Sequence, residues 1–329
     1  MSEGDARSPR PRLHLFLSCS IPGWRTNAGH DARRRHRFVG NRQKGGHPWP
    51  VAKASARTGA ASVLRGEGED DHWLTDATPT VAGRSAQGIL RDMTRAMVAA
   101  HRGVATGAAE NTIAAFSNAI DVGADMIEFD VRSTGEGELI AFHDAQVRGV
   151  PVGALSRAEI AAAAGVLPPL LTEVLAVCAG RIRLDVELKE DGYVADVMAV
   201  LRAGFDPGQL VVTSFLPAVV AQAKDVYPEV KTGLLIGDGG SLLDLAARFG
   251  ELYPVGLARR VRADYLAPHY GLAPLGVLRR AAAAGLPCLL WTVNSPALIS
   301  RYATDPRVAA IITDVAAEAV AIVAAAAGR

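Results

Sequence analysis

Residues 125–131 read Asp-Met-Ile-Glu-Phe-Asp-Val, with two carboxylates set alternately among apolar side chains. Successive side chains of a strand point to opposite faces, so Glu128 and Asp130, two positions apart, share one face. A lone Glu-x-Asp on a strand is most simply a solvated edge pair. Here Met126, Ile127, Phe129 and Val131 surround it and argue for a buried strand. Two carboxylates side by side in an interior repel one another unless one is protonated or a cation bridges them.

On both sides of this strand, from Met97 to the C-terminus, short β-type runs alternate with Ala-rich helical runs. Strands are predicted at 97–100, 125–131, 138–142, 181–187, 209–213, 231–236, 263–267, 287–293 and 309–312. Helices are predicted between most of them, at 112–121, 218–226, 242–249, 275–284 and 316–327. Such alternation builds a parallel sheet. The 233 residues from 97 to 329 suit a TIM-type (β/α)₈ barrel better than an open doubly wound sheet. Nine candidates compete for eight places, so one is either peripheral or not a strand. Glu138 follows Val131 by only seven positions, too few for a crossover helix. An extended crossover there would make the barrel slightly irregular.

Barrels of this kind carry their chemistry at the C-terminal ends of the strands. His101-Arg102-Gly103 closes the first predicted strand and His143-Asp144 the third. The fourth carries Asp185, Glu187 and Lys189, and Ser214-Phe215 and Trp291-Thr292-Val293-Asn294 end later ones. Glu187 is a natural third oxygen ligand beside Glu128 and Asp130. Three carboxylates without a cysteine ligand favour a hard ion, Mg²⁺ or Ca²⁺, over zinc. Residues 97–329 hold three histidines, His101, His143 and His269. A single one is most often structural, but two closing strands around the acidic strand form a candidate proton-transfer pair. Imidazole, with an unperturbed pKa near ~6.5, can take and return a proton at neutral pH. Asp144 could orient His143, although neighbours on a strand normally face opposite ways. Arg102 offers a fork for two phosphate oxygens and Lys189 a point charge. The plain alternative for Lys189 is a salt bridge to Glu187 or Asp185. A divalent ion, an arginine and a lysine together would polarise a phosphate diester.

The segments His101-Arg102-Gly103, Glu110-Asn111-Thr112, Ile127-Glu128-Phe129-Asp130-Val131, His143-Asp144, Glu187-Leu188-Lys189, Ser214-Phe215, Trp291-Thr292-Val293-Asn294 and Ile312-Thr313-Asp314 occur in this order. Together they resemble the glycerophosphodiester phosphodiesterase domain of the phosphatidylinositol-phospholipase-C-like barrel group, over residues 97–320. The resemblance implies hydrolysis of small-molecule glycerophosphodiesters, such as glycerophosphocholine, to sn-glycerol 3-phosphate and an alcohol. It implies His101 as general base and His143 as general acid. It assigns Glu128, Asp130 and Glu187 to one divalent cation (Mg²⁺ or Ca²⁺) and Arg102 and Lys189 to the phosphate. Glu110 is then a supporting site residue, and Phe215 and Trp291 line the pocket mouth, where aromatics also serve barrel packing. His269 matches no motif and is left structural. Ala109 stands where the family usually has proline, which loosens the loop into the first helix. The stretch from His143 to Glu173 is short, so the inserted subdomain of some relatives is missing. Two alternatives remain: a lysophospholipase D-like diesterase of the same barrel group, and a non-catalytic barrel tethered by a basic tail.

That tail is residues 1–96, where Arg, Gly, Ser, Ala and Pro dominate without helical or strand periodicity. It carries 16 Lys+Arg against 9 Asp+Glu, while residues 97–329 carry 19 against 25. Composition thus divides the chain into a disordered basic N-terminal segment, 1–96, and a barrel domain, 97–329. Arg33-Arg34-Arg35-His36-Arg37 could meet nucleic acid or an anionic membrane, but no specific nucleic-acid partner is expected. Met93 and Met97 precede the first strand, and a start at either leaves the barrel domain complete. The three scattered cysteines, Cys19, Cys178 and Cys288, argue for a reducing compartment. The early apolar run 13–17, broken by His14, is too short for a signal core or a span. A cytoplasmic protein with no transmembrane segment is expected.

Overall fold

The computed structural model describes residues 95–237 and 250–328. In chain order the strands are β1 (Met97–His101), β2 (Met126–Ser133), β3 (Leu139–Ala141), β4 (Gln146–Val147), β5 (Val150–Pro151), β6 (Arg183–Leu188), β7 (Leu210–Ser214), β8 (Lys231–Ile236), β9 (Tyr265–Pro268), β10 (Cys288–Leu290) and β11 (Val308–Thr313). The helices are α1 (Ile113–Asp121), α2 (Arg157–Ala164), α3 (Leu171–Cys178), α4 (Val194–Gly204), α5 (Pro217–Val226), α6 (Val255–Arg260), α7 (Val277–Ala283), α8 (Pro296–Tyr302) and α9 (Ala316–Ala327). The predicted helix at 242–249 and every expectation for residues 1–94 lie outside the described residues. Among the described residues, no helix is long and apolar enough to cross a membrane.

Eight strands, β1, β2 and β6 to β11, pair in parallel, and β1 closes the ring by pairing with both β2 and β11. This is the expected barrel, with one correction. The run at 138–142 is not a stave of the barrel. It folds back antiparallel onto β2, with Val131 opposite Ala141 and Ser133 opposite Leu139. The reason is the short link: Thr134 N–H bonds Glu138 O at 2.9 Å, and Gly137 takes a φ of +81°. So short a connection suits a hairpin, not a crossover. The true crossover from β2 to β6 therefore contains β3, the β4–β5 hairpin, α2 and α3.

Alternation along β2 separates two environments. Ile127, Phe129 and Val131 point outward into the core shared with the helices, where Phe129 meets Phe116 at 5.6 Å between ring centroids. Met126 points inward with Ala99, Val211, Leu235, Ala267, Leu289, Ala310 and Ile312, which fill the barrel. Burying each large apolar side chain contributes roughly 1.5–3 kcal/mol. The interior is tight enough to require glycine at 233, where a Cβ would stand 2.8 Å from Thr213 Cγ2. Two helices start at capping side chains. Thr112 Oγ1 accepts from Ala115 N–H at the head of α1, and Ser156 with Glu159 forms a capping box on α2.

At the opposite end of the barrel, two Ala-Asp pairs hold neighbouring strands in register. Asp125 accepts from Val98 N–H at 2.8 Å and from both Nη atoms of Arg95. Asp264 likewise accepts from Thr232 N–H at 3.0 Å, Lys224 Nζ at 2.7 Å and Lys231 Nζ at 3.0 Å. Burial alone would raise the Asp264 carboxyl, but these donors outweigh it and hold it below the usual carboxylate range. A depressed folded-state pKa stabilises the fold above the unfolded value, near ~3.9, and that stability is lost as pH falls through the folded value. The Asp264→Asn variant should therefore be less stable than wild type at pH 6. Denaturant titrations should find the two converging as the pH falls through the depressed folded-state value; a gap that stays constant would refute the clamp.

Candidate active site

The C-terminal mouth of the barrel gathers its acids by strand register. His101 stands opposite Glu128, Glu128 opposite Asp185, and Asp130 opposite Glu187. The pattern that turns Met126 inward turns Glu128 and Asp130 inward above it. Glu128, Asp130 and Glu187 are buried, and one carboxylate oxygen from each lies within 4.8 Å of the others. Burial, then the charges of Asp130, Glu187 and Asp185, push the Glu128 carboxyl well above its usual range. Burial also raises Glu187, though Lys189 opposes it. Asp185 lies deeper, accepts from Thr213 Oγ1 at 2.8 Å, and is pushed by burial up to about 7.

Two cations and one amide partly offset this charge. Lys189 Nζ lies 2.6 Å from Glu187 Oε1 and 2.8 Å from Asp130 Oδ1. Arg102 bonds Glu110 at 2.8 Å and approaches Asp130 at 3.3 Å. Asn111 Nδ2 donates to Asp130 Oδ2 at 2.8 Å, and its Oδ1 accepts from Asp130 N–H at 3.3 Å. Lys189, Arg102 and Asn111 together hold Asp130 below the usual range despite burial. The salt bridge weighed for Lys189 is present, to Glu187 and Asp130 rather than to Asp185. Three carboxylates share Lys189 and an arginine that also serves Glu110, so the cluster is short of positive charge. Its all-oxygen donor set fits a hard divalent cation.

The backbone bends sharply to bring Arg102 here. Arg102 and Asn111 both have φ of +55°, and Gly103 has φ of +82°. A Cβ on Gly103 would lie 2.7 Å from the Ala115 carbonyl carbon, so the turn passes directly over α1. Arg102 N–H reaches Glu128 O at 2.8 Å and Glu128 Oε2 at 3.1 Å. At the head of α1, where proline was absent, Thr112 Oγ1 donates to Ala109 O at 2.6 Å and ties the loop.

Each site histidine is held through Nδ1 by a carboxylate. His101 Nδ1 is 2.6 Å from Asp314 Oδ1, and its Nε2 faces Glu128 Oε2 at 3.8 Å. Asp314 is fixed in turn by Asn294 Nδ2 at 2.5 Å, and its N–H donates to Asn294 Oδ1 at 2.9 Å. The hydrogen bond to His101 leads the effects that lower the Asp314 carboxyl. His143 Nδ1 is 2.8 Å from Asp144 Oδ1. The two side chains meet because both lie beyond β3, where strand alternation no longer applies. Arg132 pins this turn by donating Nε to His143 O at 2.8 Å while pairing with Glu190.

Just beyond the ends of β7 and β10, Phe215 and Trp291 pack edge to face at 5.5 Å. Trp291 Nε1 donates to Ala267 O at 2.8 Å, and His269 packs against the indole at 5.1 Å between ring centroids. The structure thus brings together His101, Arg102, Glu128, Asp130, Glu187 and Lys189, with Glu110 and His143 in reach of the cluster and Phe215 and Trp291 at the ends of β7 and β10. Asn111, Asn294 and Asp314 had been quoted as motif letters without a role, and Arg132 had no sequence signal at all.

Comparison with known proteins agrees with this geometry. Residues 101–164 match the model of the glycerophosphoryl diester phosphodiesterase family. A glycerophosphodiester phosphodiesterase of Caldanaerobacter subterraneus subsp. tengcongensis is 49% identical over 53 residues, which is 16% of this chain and 22% of that protein. Bacillus subtilis YhdW, provisionally named for the same activity, is 31% identical over 159 residues, 42% of this chain and 65% of its own. The chain therefore spans less than two thirds of the length of either. A phosphodiesterase of Oleispira antarctica, solved with sn-glycerol 3-phosphate, superposes with a TM-score of 0.57 at 22% identity, covering 70% of this chain and 97% of that one.

The raised Glu128 carboxyl makes cation binding testable. Ligation requires the anion, so binding Mg²⁺ or Ca²⁺ should release protons and tighten as pH rises. Calorimetry in buffers of different ionisation enthalpy should detect that release. Glu128→Gln should weaken binding at least about tenfold, which is about 1.4 kcal/mol. Binding that is indifferent to pH and to this substitution would argue against the cluster.

Proposed function

We propose that this chain, which belongs to the glycerophosphodiester phosphodiesterase family, is a metal-dependent hydrolase releasing sn-glycerol 3-phosphate and an alcohol from glycerophosphodiesters. One observation carries the reading. Two imidazoles, each bonded through Nδ1 to a carboxylate, flank a buried cluster of three acids whose negative charge Lys189 and Arg102 offset only in part. That is the arrangement a phosphate diester needs: anion recognition, and a proton acceptor and donor on separate groups.

Asp314 accepts from His101 Nδ1–H, which fixes the tautomer whose Nε2 is free to take a proton. His101 then removes the proton of the attacking nucleophile. His143, oriented through Nδ1 by Asp144, delivers a proton to the leaving alcohol oxygen. Glu128, Asp130 and Glu187 would hold Mg²⁺ or Ca²⁺, which when bound acts as a Lewis acid on the phosphate. Lys189 and Arg102, both beside Asp130, would offer positive charge to the phosphate oxygens. Phe215 and Trp291 shield the glycerol side from water. In this reading residues 97–329 form the catalytic unit, and 1–96 have no part in the reaction. The free, buried thiols of Cys178 and Cys288 suit the reducing cytoplasm.

A lysophospholipid is the second reading, favoured by the exposed Leu216 and Tyr270 beside the aromatic wall. Turnover of lysophosphatidylcholine faster than that of glycerophosphocholine would select it.

Chelation should abolish glycerol 3-phosphate release, and Mg²⁺ or Ca²⁺ should restore it. His101→Ala and His143→Ala should each lower kcat by ~10²–10⁴ without loss of fold by circular dichroism. Asp314→Ala should lower kcat by about tenfold with KM little changed, as expected of a residue that only orients the base. Full activity in either histidine variant would overturn the acid–base assignment.

A further inference from the structure

We propose that a cavity between α7 and α8 binds a phosphate monoester through Arg279 and Arg301, apart from the catalytic mouth. The cavity, about 450 Å³, lies between the turn from β9 into α7 and the stretch from the end of α8 to the start of β11. It shares no lining residue with the site described above. Its volume falls within the ~300–1,000 Å³ usual for small-molecule sites.

Charge points to an anion. Acids outnumber bases over residues 97–329, yet residues 265–313 hold four arginines and a single acid, Asp305. Three of those arginines, Arg279, Arg301 and Arg307, line the cavity, and no acidic side chain among the described residues does. Arg307 is largely committed, with Nε and Nη2 on Asp305 at 2.8 Å and 2.6 Å. Its hydrogen bond leads the effects that hold the Asp305 carboxyl below its usual range, and the charge of Arg301 adds to them. The local acid is thus already matched. Among the described residues, Arg279 and Arg301 make no hydrogen bond or ion pair, and Arg301 only covers the Tyr302 ring at 5.6 Å.

The turn holds these cations in place. Gly276 takes a φ of +85°, and a Cβ there would stand 3.1 Å from Arg280 Nη1 and 3.8 Å from Arg279 Nη2. The Arg279 head therefore lies against the turn that lines the cavity, and Arg280 fixes that turn by donating Nη2 to Leu275 O at 2.9 Å. Two uncommitted guanidinium forks match a dianion. A phosphate monoester carries roughly −1.5 to −2 charges at neutral pH and three terminal oxygens. A carboxylate or a phosphate diester carries a single charge, which one fork satisfies. Leu275, 57% exposed, and Pro274 give an apolar lip for the carbon of the ester. Soluble phosphomonoesters and the headgroup of phosphatidic acid share this chemistry.

The test titrates the full chain by calorimetry with methyl phosphate and with dimethyl phosphate, chelator present. Without a cation, the acids of the catalytic mouth repel both probes. Wild type should bind the monoester at least about fivefold tighter than the diester, and high salt should weaken it. Arg279→Gln, which breaks no hydrogen bond or ion pair, should weaken monoester binding about threefold to fivefold. The double variant Arg279→Gln/Arg301→Gln should weaken it at least about tenfold. Both variants should match wild type in circular dichroism and thermal melting, and Arg102→Gln should bind the monoester as wild type does. Sedimentation with phosphatidylcholine vesicles, with and without phosphatidic acid, separates the sources. Capture that needs both phosphatidic acid and the two arginines marks a lipid headgroup; monoester binding without capture marks a soluble ester. Equal binding by wild type and the folded double variant, loss of binding in folded Arg102→Gln, or no preference for the monoester would overturn the assignment. So would wild type that binds neither probe.

Discussion

Three carboxylates buried on the inner face of a barrel impose a charge-balance problem that much of the mouth is built to meet. A buried ion without compensation costs several kcal/mol even after the protein relaxes. Lys189 spans Glu187 and Asp130, Arg102 reaches across from β1, and Asn111 satisfies Asp130 through both its amide atoms. What is left over falls on Glu128, whose carboxyl is forced upward by burial and by its neighbours. The fold therefore leaves a demand for one more positive charge at a defined place, and this is the physical basis of the proposed cation site.

The same demand explains the unusual backbone around it. Arg102 and Asn111 adopt positive φ, and Gly103 lies against α1 where no side chain fits. Left-handed conformations cost non-glycine residues stability and persist only when surrounding contacts determine them. Here Arg102 is bonded through its N–H to Glu128, and Asn111 through its side chain to Asp130, so strain in the loop is offset by satisfying the acids.

The β2-to-β6 crossover does a second job. Because β3 turns back on β2, His143 is delivered to the rim from an antiparallel strand rather than from a stave of the barrel. Arg132 then fixes the His143 carbonyl. The two histidines consequently sit on different supports, His101 on the rigid ring and His143 on an appended hairpin. Their unequal exposure, 20% and 36% of the side chain, follows from this.

Much of the barrel was legible in the strand pattern, because side-chain alternation and βα spacing are local properties of a chain. Glu128 and Asp130 could be placed on one face for the same reason: their separation alone settles it. The pairing of His101 with Asp314 and Asn294 could not be read this way, since 213 positions separate the ring from its carboxylate and only barrel closure between β1 and β11 joins them. Arg132 was hidden likewise, because its partners, His143 and Glu190, lie 11 and 58 positions away. Sequence by itself determined the acids, the imidazoles and the barrel that carries them. Tertiary structure decided which carboxylate each imidazole meets, because that depends on contacts between segments far apart in the chain.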